Sequence, residues 1–439
     1  MNTNRIFYIL VGLIAIAIFV TVILVLRGVG GGQVQKVNLE FWGVFDDSEA
    51  FTGTIKGYQA LNPAVKVFYR KFAYEDYEKS LIDALAAGTG PDMFMIGNTW
   101  LPKHGDKLKP LPAKIAGLKQ PLFTLKNFQD QFVEVAYNDL IKNSQIYAMP
   151  LYADTLALYY NKDLFNTAGI TRPPSNWEEF NSDVELLTKL DANGNIIQSG
   201  AAIGTAKNIN RSTDILMALM IQSGVQMTNA ERTNASFSKN VNGVAVGETA
   251  LKYYTDFANP RVRTYTWNDA QHYSIDAFVQ GETAMMFNYA HQAKIIKAKA
   301  PRLNFGIVPI PQISSADIKN YANYLAAGVS NASKQSDEAW KFIAYLTSKE
   351  GAAAYLNATL RPSARRDLID LQRSDIDLGL FAVQALTAKS WYEVDSVSIE
   401  TIFADMIDDV NFGRYSVREA LTKAESKVTV LMSQKRRGQ

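Results

Sequence analysis

Cysteine is absent from the 439 residues of the chain, and histidine occurs only three times. Without cysteine the chain cannot form a disulfide, hold zinc through thiolates or carry a lipid on an N-terminal cysteine. Its fold must be stabilised by packing, for which a chain of this length has enough surface to bury. His104, His272 and His291 are widely scattered along the chain. We therefore expect neither a resident metal nor a cofactor.

An excess of charge of one sign is absent as well. The formal net charge is +2, with 20% charged and 47% hydrophobic residues. These values are ordinary for a folded soluble protein. Nucleic-acid-binding proteins usually carry a basic patch, so the composition argues against a broad phosphate-binding surface.

Motifs of the common enzyme classes are also missing. The sequence has no G-x-S-x-G elbow, no H-E-x-x-H and no G-x-x-x-x-G-K-[ST] loop. Residues 28–33 approximate a dinucleotide loop, but Gln33 replaces the last glycine and no strand precedes it. Residues 191–195 approximate a calcium loop, but the glycine comes one position early and Ala202 replaces the closing glutamate. We expect a hairpin turn there and a protein that is not an enzyme.

A long apolar run lies close to the N-terminus. Residues 6–26 form 21 positions without a charge, and a helix of that length covers about 32 Å, enough to cross a bilayer core. The alternative is a cleaved signal peptide, whose apolar region is shorter and ends in small residues. This run ends in Leu26-Arg27-Gly28. We expect residues 1–27 to be an uncleaved, single-pass membrane anchor.

The charges around this run set its orientation. Arg5 and the amino terminus slightly outweigh Arg27, which places the N-terminus inside the cell and the remaining chain on the extracytoplasmic side. Residues 28–36 are rich in glycine and predict a flexible tether.

Strand and helix signals alternate over the next hundred residues. Residues 37–42, 64–68 and 93–96 predict strands, and the helices between them end near Leu61 and Gly88. This β-α-β-α-β order predicts a parallel sheet covered by helices. Ligands of such sheets bind beyond the carboxyl ends of the strands.

Aromatic and polar side chains follow two of these strands. Trp42, Asp46 and Asp47 come at or after the end of the first strand, and Asn98 and Trp100 follow the third. An indole covers the apolar face of a pyranose ring, while carboxylates and amides bond to several hydroxyls. The set favours a carbohydrate ligand. The alternative is that the tryptophans cap a core and the aspartates are solvated.

Several segments share their pattern with one known family. They are 88–92 (GTGPD), 149–165 (MPLYADTLALYYNKDLF), 173–180 (PPSNWEEF), 277–286 (AFVQGETAMM), 305–311 (FGIVPIP) and 337–342 (DEAWKF). Together, and in this order, they resemble the family 1 extracellular solute-binding proteins, relatives of maltose-binding protein.

The resemblance implies a fold and a function. The family fold is periplasmic-binding-protein-like (type II): two α/β lobes joined by a hinge, with a solute clamped between them. It implies a first lobe of residues 37–152 and 312–346 and a second lobe of 153–311 and 347–439. The protein would be a monomer that captures a solute, here a sugar or oligosaccharide, for the permease of an ABC importer.

The resemblance also implies site residues. Asp154 aligns with an acidic position that receives sugar hydroxyls, and Tyr152 lies on the same interlobe crossing. Sugar binders commonly place a glycine and a tryptophan after the strand that ends near Met286. This chain has Phe-Asn-Tyr-Ala-His there, so Tyr289 or His291 takes the stacking role and a maltose-like ligand is less favoured.

The resemblance places Arg361 and Trp391 in segments of the second lobe that lie next to the cleft. Arg361 is expected to face the ligand, with a surface salt bridge as the alternative. Trp391 is expected to do the same, with a place in the core as the alternative.

Two other functions remain open at this point. A glycosidase would use Asp46 and Asp154 as acid and base. A ferric-ion binder would use tyrosine and carboxylate oxygens, with Tyr159, Tyr160 and Tyr289 as candidates.

Overall fold

The computed structural model describes residues 36–437 of the chain. Its strands are β1 Val37–Val44, β2 Val65–Phe72, β3 Met93–Gly97, β4 Ile141–Lys142, β5 Gln145–Ile146, β6 Ala148–Pro150, β7 Asp154–Thr155, β8 Ala157–Asn161, β9 Lys189–Leu190, β10 Ile196–Gln198, β11 Met285–Asn288, β12 Phe305–Pro309, β13 Asn320–Asn323, β14 Leu325–Val329 and β15 Ala388–Lys389. Its α-helices are α1 Glu49–Leu61, α2 Tyr74–Ala86, α3 Leu101–His104, α4 Leu125–Gln131, α5 Glu134–Leu140, α6 Lys162–Thr167, α7 Trp177–Leu187, α8 Ser212–Gln222, α9 Val246–Asp256, α10 Ser274–Gln280, α11 His291–Lys299, α12 Ser336–Leu346, α13 Lys349–Thr359, α14 Arg366–Gln372, α15 Gly379–Gln384, α16 Ser396–Asn411 and α17 Val417–Arg437.

The first lobe is built on a five-stranded sheet of order β2-β1-β3-β14-β6. Strands β2 and β3 pair with β1 in parallel, and β14 joins β3 antiparallel. The predicted β-α-β-α-β unit is therefore present. Residues Met93–Ile96 of β3 are fully buried, as a central parallel strand requires.

The second lobe has its own sheet and its own core. Strand β8 lies in the centre, with β11 and β12 antiparallel on either side. Helix α8 is buried on nearly every face from Ser212 to Met220, so it runs through the interior of this lobe. The predicted turn at 191–195 is the hairpin between β9 and β10, where the carboxylate of Asp191 accepts the N–H groups of Asn193 and Asn195.

The crossings between the lobes meet in a small sheet. Strand β13 pairs antiparallel with β7 and parallel with β15. Each strand belongs to a different segment that passes from one core to the other. The segments are hydrogen-bonded side by side, so the lobes are joined through a compact hinge.

The predicted lobe boundaries need correction at residues 312 and 347. Tyr321 still packs in the core of the second lobe, so the second crossing lies at β13 rather than at 312. Helix α13 buries Tyr355 in the core of the first lobe, where its ring stacks on Phe51 at 5.2 Å between centroids. The third crossing therefore lies near β15. The sequence pattern missed it because α13 begins only two residues after α12 and carries no signal that assigns it to a lobe.

No helix within residues 36–437 combines the length and hydropathy needed to cross a membrane. The predicted anchor at 1–27 and nearly all of the predicted tether lie outside the described residues.

Candidate ligand-binding site

A cavity of about 440 Å³ lies between the two lobes, at the carboxyl ends of β1 and β3. The first lobe contributes Phe45, Tyr74, Tyr77, Asn98, Trp100 and Arg361. The second lobe contributes Arg211, Asp214, Met217, Tyr289, His291, Glu393 and Glu400, and the hinge region contributes Tyr152, Asp154 and Tyr321. The size is within the usual range for a small-molecule site.

The cavity brings together seven of the eleven site residues predicted from the sequence. They are Asn98, Trp100, Tyr152, Asp154, Tyr289, His291 and Arg361. They come from four separate stretches of the chain and from both lobes. Trp42, Asp46, Asp47 and Trp391 do not line the cavity.

Trp42 was predicted at the end of the first strand, facing a ligand, and the structure places it elsewhere. Strand β1 continues to Val44, so Trp42 lies within it and is 6% exposed. Its ring packs against Phe72 at 4.6 Å between centroids, and its Nε1–H donates to Glu40 at 3.3 Å. Trp42 therefore has the alternative role considered from the sequence, in which its indole caps the core instead of contacting a ligand.

Asp46 and Asp47 are also outside the cavity lining. The carboxylate of Asp46 accepts hydrogen bonds from Arg361 and from the hydroxyl of Tyr355, each at 2.7 Å. Asp47 is solvated and forms an exposed ion pair with Lys71 at 2.9 Å. A glycosidase that uses Asp46 is not favoured, because that carboxylate is already occupied by two donors.

Trp391 fills space in the core of the second lobe. It is 8% exposed, packs against Phe403 and donates its Nε1–H to the sulfur of Met217 at 3.3 Å. Trp391 therefore lies in the core, which was the alternative considered from the sequence.

Asp154 lies at the centre of the site, on hinge strand β7. Its carboxylate accepts the N–H of Thr155 at 2.8 Å and the N–H of Ala290 at 3.0 Å. Burial raises the pKa of Asp154 to about 7, against the lowering effect of these hydrogen bonds and of Arg361 and Arg211. The carboxylate therefore ionises near neutral pH, where it becomes a strong hydrogen-bond acceptor.

Two arginines flank this carboxylate, one from each lobe. The guanidinium of Arg361 lies over the ring of Tyr152 at 4.4 Å, and that of Arg211 lies over Tyr289 at 5.2 Å. The Nε–H groups of both arginines are buried and have no hydrogen-bond partner among residues 36–437. Buried donors are usually paired. We therefore expect a bound ligand to accept these two N–H groups.

Carboxyl groups of the second lobe also line the cavity. Asp214 accepts the hydroxyl of Tyr289 at 2.8 Å, and Glu393 accepts that of Tyr321 at 3.2 Å. Burial, followed by the charge of Asp214, raises the pKa values of Glu393 and Glu400. These groups ionise less readily than ordinary carboxylates, so they can donate as well as accept.

His291 provides a neutral ring. Desolvation by the cavity walls, and then the charges of Arg211 and Arg361, lower its pKa to about 4. At neutral pH the imidazole carries one donor and one acceptor.

Asn98 connects the cavity with the hinge. Its Nδ2 donates to Asp139 at 3.3 Å, and Asp139 also accepts the hydroxyls of Tyr324 and Ser390. Tyr324 follows β13 and Ser390 follows β15. A cavity residue is thus tied to two of the three crossings.

Sequence reasoning missed Phe45, Tyr74, Arg211, Asp214 and Glu393. The rule that places ligands at the carboxyl ends of parallel strands applies equally to β2, and Tyr74 comes two positions after the last residue of that strand. Arg211 and Asp214 stand at the start of a helix whose apolar residues show no periodic pattern. Nothing local marks them as site residues.

The tyrosines proposed as ligands of a ferric ion do not form a common site. Tyr159 is fully buried and donates its hydroxyl to the backbone carbonyl of Tyr289 at 2.7 Å. The ring of Tyr160 packs against Phe165 instead, outside the cavity lining. The three tyrosine oxygens do not converge.

The fold and the site define a class of protein: two α/β lobes joined by a hinge, with a polar and aromatic cavity between them. Within this class the chain belongs to the bacterial extracellular solute-binding protein family, whose model matches residues 42–353. This is a family of binding proteins, which in general are not enzymes.

Several known binding proteins are similar to this chain in sequence or in fold. A binding protein of Brucella abortus (strain 2308) is 25% identical over 78% of this chain and 81% of its own length. The maltotriose-binding protein of Pyrococcus abyssi is 24% identical over 69% of this chain and 60% of its own length. The solved structure of the cyclic α-maltosyl-1,6-maltose binding protein from Arthrobacter globiformis superposes with a TM-score of 0.74 at 20% identity, over 91% of this chain and 99% of that protein.

Proposed function

We propose that this protein captures a sugar or oligosaccharide in the interlobe cavity and delivers it to the permease of an ABC importer. The observation that carries the proposal is the position of Asp154, buried at the hinge between aromatic rings and free arginine donors. A sugar presents apolar ring faces and hydroxyls that both donate and accept. Tyr152 and Tyr289 suit the faces, and Asp154, Arg211 and Arg361 suit the hydroxyls.

Relatives support a carbohydrate ligand. One is named for maltotriose and another for a cyclic maltosyl-maltose, and a further structure of the same fold, from Thermotoga lettingae, is described as bound to α-D-tagatose. These names span linear, cyclic and single-unit sugars. They support the class of ligand rather than one compound.

The mechanism we propose is hinge closure. Arg361 and Asn98 approach the ligand from the first lobe, and Arg211 and Asp214 approach it from the second. A ligand that contacts both walls stabilises the closed state by its additional contacts in that state. The closed protein, as a monomer, then docks on the permease.

Thermal unfolding of the full-length protein tests this function. We expect at least one sugar from a panel of mono- and oligosaccharides to raise the Tm, because a ligand that binds only the folded state stabilises it. Amino acids, inorganic phosphate and ferric ion serve as the comparison set. A rise with one of these and with no sugar would contradict the proposal.

We further propose that residues 1–27 tether the protein to the membrane, with the lobes on the extracytoplasmic side. The support is the uncharged run at 6–26, which is longer than the apolar region of a signal peptide and is followed directly by Arg27. Tethering raises the effective concentration of the protein near its permease. N-terminal sequencing of membrane-fraction protein should begin at or near Met1. A start near Gly30 in a soluble fraction would contradict the tether.

A further inference from the structure

Phe45, directly after β1, has a backbone conformation that large residues rarely adopt. Its φ is +66°, in the left-handed region that favours glycine. The N–H of Asp46 donates to the carbonyl oxygen of Val44 at 2.7 Å, which closes a tight turn around Phe45. Such strain persists only where the surroundings impose it, and it is concentrated at functional sites.

The surroundings that impose it are the partners of Asp46. Its carboxylate is held by Arg361 and Tyr355, and its backbone carbonyl accepts the hydroxyl of Tyr69 at 2.9 Å. Three side chains from distant parts of the first lobe therefore fix the residue that follows Phe45. Asp46 is a positioning residue for this turn.

The turn keeps the ring of Phe45 at the edge of the cavity. Phe45 is 49% exposed and Tyr74 is 50% exposed, although both line the cavity. Their rings stack at 4.9 Å between centroids with 23° between planes. Packing does not explain a strained backbone that holds a half-exposed aromatic ring beside a ligand cavity. A ligand that covers this pair does explain it.

We propose that Phe45 and Tyr74 form an outer subsite that binds an additional sugar ring, so that the ligand is a chain of two or more units. One unit occupies the enclosed part of the cavity, beside Tyr152, Asp154 and Tyr289. The next unit leaves the enclosed part and covers the aromatic pair. This inference rests on the proposed function and adds the length of the ligand to it.

Phe45→Gly is the variant that tests the subsite. Glycine adopts a positive φ without strain, so the turn is retained and the variant should unfold at the same temperature as wild type or higher. Affinity is measured by calorimetric titration of the full-length protein with two series: glucose, maltotriose and maltotetraose, and mannose, mannobiose and mannotriose. For the series that binds wild type, we expect Phe45→Gly to bind the longer members about five- to tenfold more weakly, because one aromatic contact is lost. Its affinity for the monosaccharide should equal that of wild type.

Two further variants serve as controls. Phe412→Ala removes another exposed aromatic ring, 55% exposed and outside the cavity lining, and should leave all affinities unchanged. Tyr74→Ala should reproduce the length-dependent loss. The subsite is overturned if Phe45→Gly leaves the oligosaccharide affinities unchanged, or lowers monosaccharide and oligosaccharide affinities equally. A wild-type protein whose Tm rises with no mono- or oligosaccharide of the wider panel contradicts the proposed function itself, and this outcome is distinct from a failure of the subsite.

Discussion

The guanidinium of Arg361 donates from Nη2 to Oδ1 of Asp46 at 2.7 Å, across 315 positions of sequence. Both side chains are largely buried, with 11% and 8% exposure. The pair fixes the turn after β1, and it also fixes the guanidinium over Tyr152 in the cavity. One ion pair therefore supports the fold of the first lobe and the shape of the site.

Arg361→Met should strongly destabilise the protein, because it leaves the carboxylate of Asp46 buried without its cation. We expect the free energy of unfolding to fall by about 3–5 kcal/mol, as for other buried pairs that lose one partner. Urea denaturation measures the change. Lys79→Met, which breaks the exposed pair with Asp83, is the control and should leave the free energy of unfolding nearly unchanged. Equal losses in the two variants would contradict the structural role of the Arg361 pair.

Trp42 and Trp100 should respond differently to replacement by alanine. Trp42 is packed in the first lobe, so Trp42→Ala should lower the free energy of unfolding by about 3–5 kcal/mol and leave ligand affinity unchanged. Trp100 lines the cavity, so Trp100→Ala should lower affinity by about 1 kcal/mol and cost less stability. Denaturation and titration of both variants measure the two effects. An affinity loss confined to Trp42→Ala would place the ligand elsewhere.

Asp154 should give the protein a specific dependence of stability on pH. Its pKa is raised from 3.8 to about 7 in the folded state. Between these values the folded state keeps a proton that the unfolded state has lost. The stability from this group is therefore fully present below pH 3.8 and is lost as the pH rises to about 7.

The variant Asp154→Asn isolates this effect, because asparagine does not titrate. The free energy of unfolding of Asp154→Asn should rise relative to that of wild type as the pH rises from 4 to 7. Above pH 7 the difference between the two proteins should stay constant. Urea denaturation at a series of pH values measures it. Parallel curves for the two proteins would show that Asp154 has an ordinary pKa.

Lys103 and Asp395 should stabilise the closed arrangement of the lobes. The Nζ of Lys103, in the first lobe, lies 2.6 Å from Glu78 and 2.9 Å from Asp395, at the start of α16 in the second lobe. Asp395→Asn removes the charge but keeps an oxygen that caps α16 through Ser398. We expect affinity to fall about two- to fivefold, mainly through faster dissociation, the value of one partly exposed pair.

Stopped-flow measurement of dissociation checks this expectation. The control is Lys252→Met, which breaks the pair with Asp256 within one helix of the second lobe. High salt should accelerate dissociation from wild type more than from Asp395→Asn. Identical rates in wild type and Asp395→Asn would show that the pair does not affect closure.

The sequence predicted the parts of this molecule that have local or periodic signals. The β-α-β-α-β unit, the buried strand β3 and the hairpin at 191–195 follow from hydrophobic patterns and turn residues. The position of Asp154 came from a resemblance, since no pattern within the chain marks it. Trp42 was misplaced because β1 extends two residues beyond the alternating pattern.

Other parts depend on contacts between distant segments. The partner of Asp46 is Arg361, and the cavity wall formed by Arg211 and Asp214 becomes a wall only when the second lobe folds against the first. Helix α13 carries no signal that assigns it to one lobe, because its buried face would suit either core. Tertiary packing decides these features, and the sequence pattern does not contain them.

Calorimetric titration of the full-length protein at pH 8 with the sugar that most raises its Tm tests the central claim most directly. At that pH Asp154 is ionised in the folded protein. We predict one sugar bound per chain, recovered intact, with affinity reduced by about 1–2 kcal/mol in Asp154→Asn, the value of a charge-assisted hydrogen bond. Steady release of shorter sugars that stops in Asp154→Asn, or binding that the substitution leaves unchanged, would contradict the account.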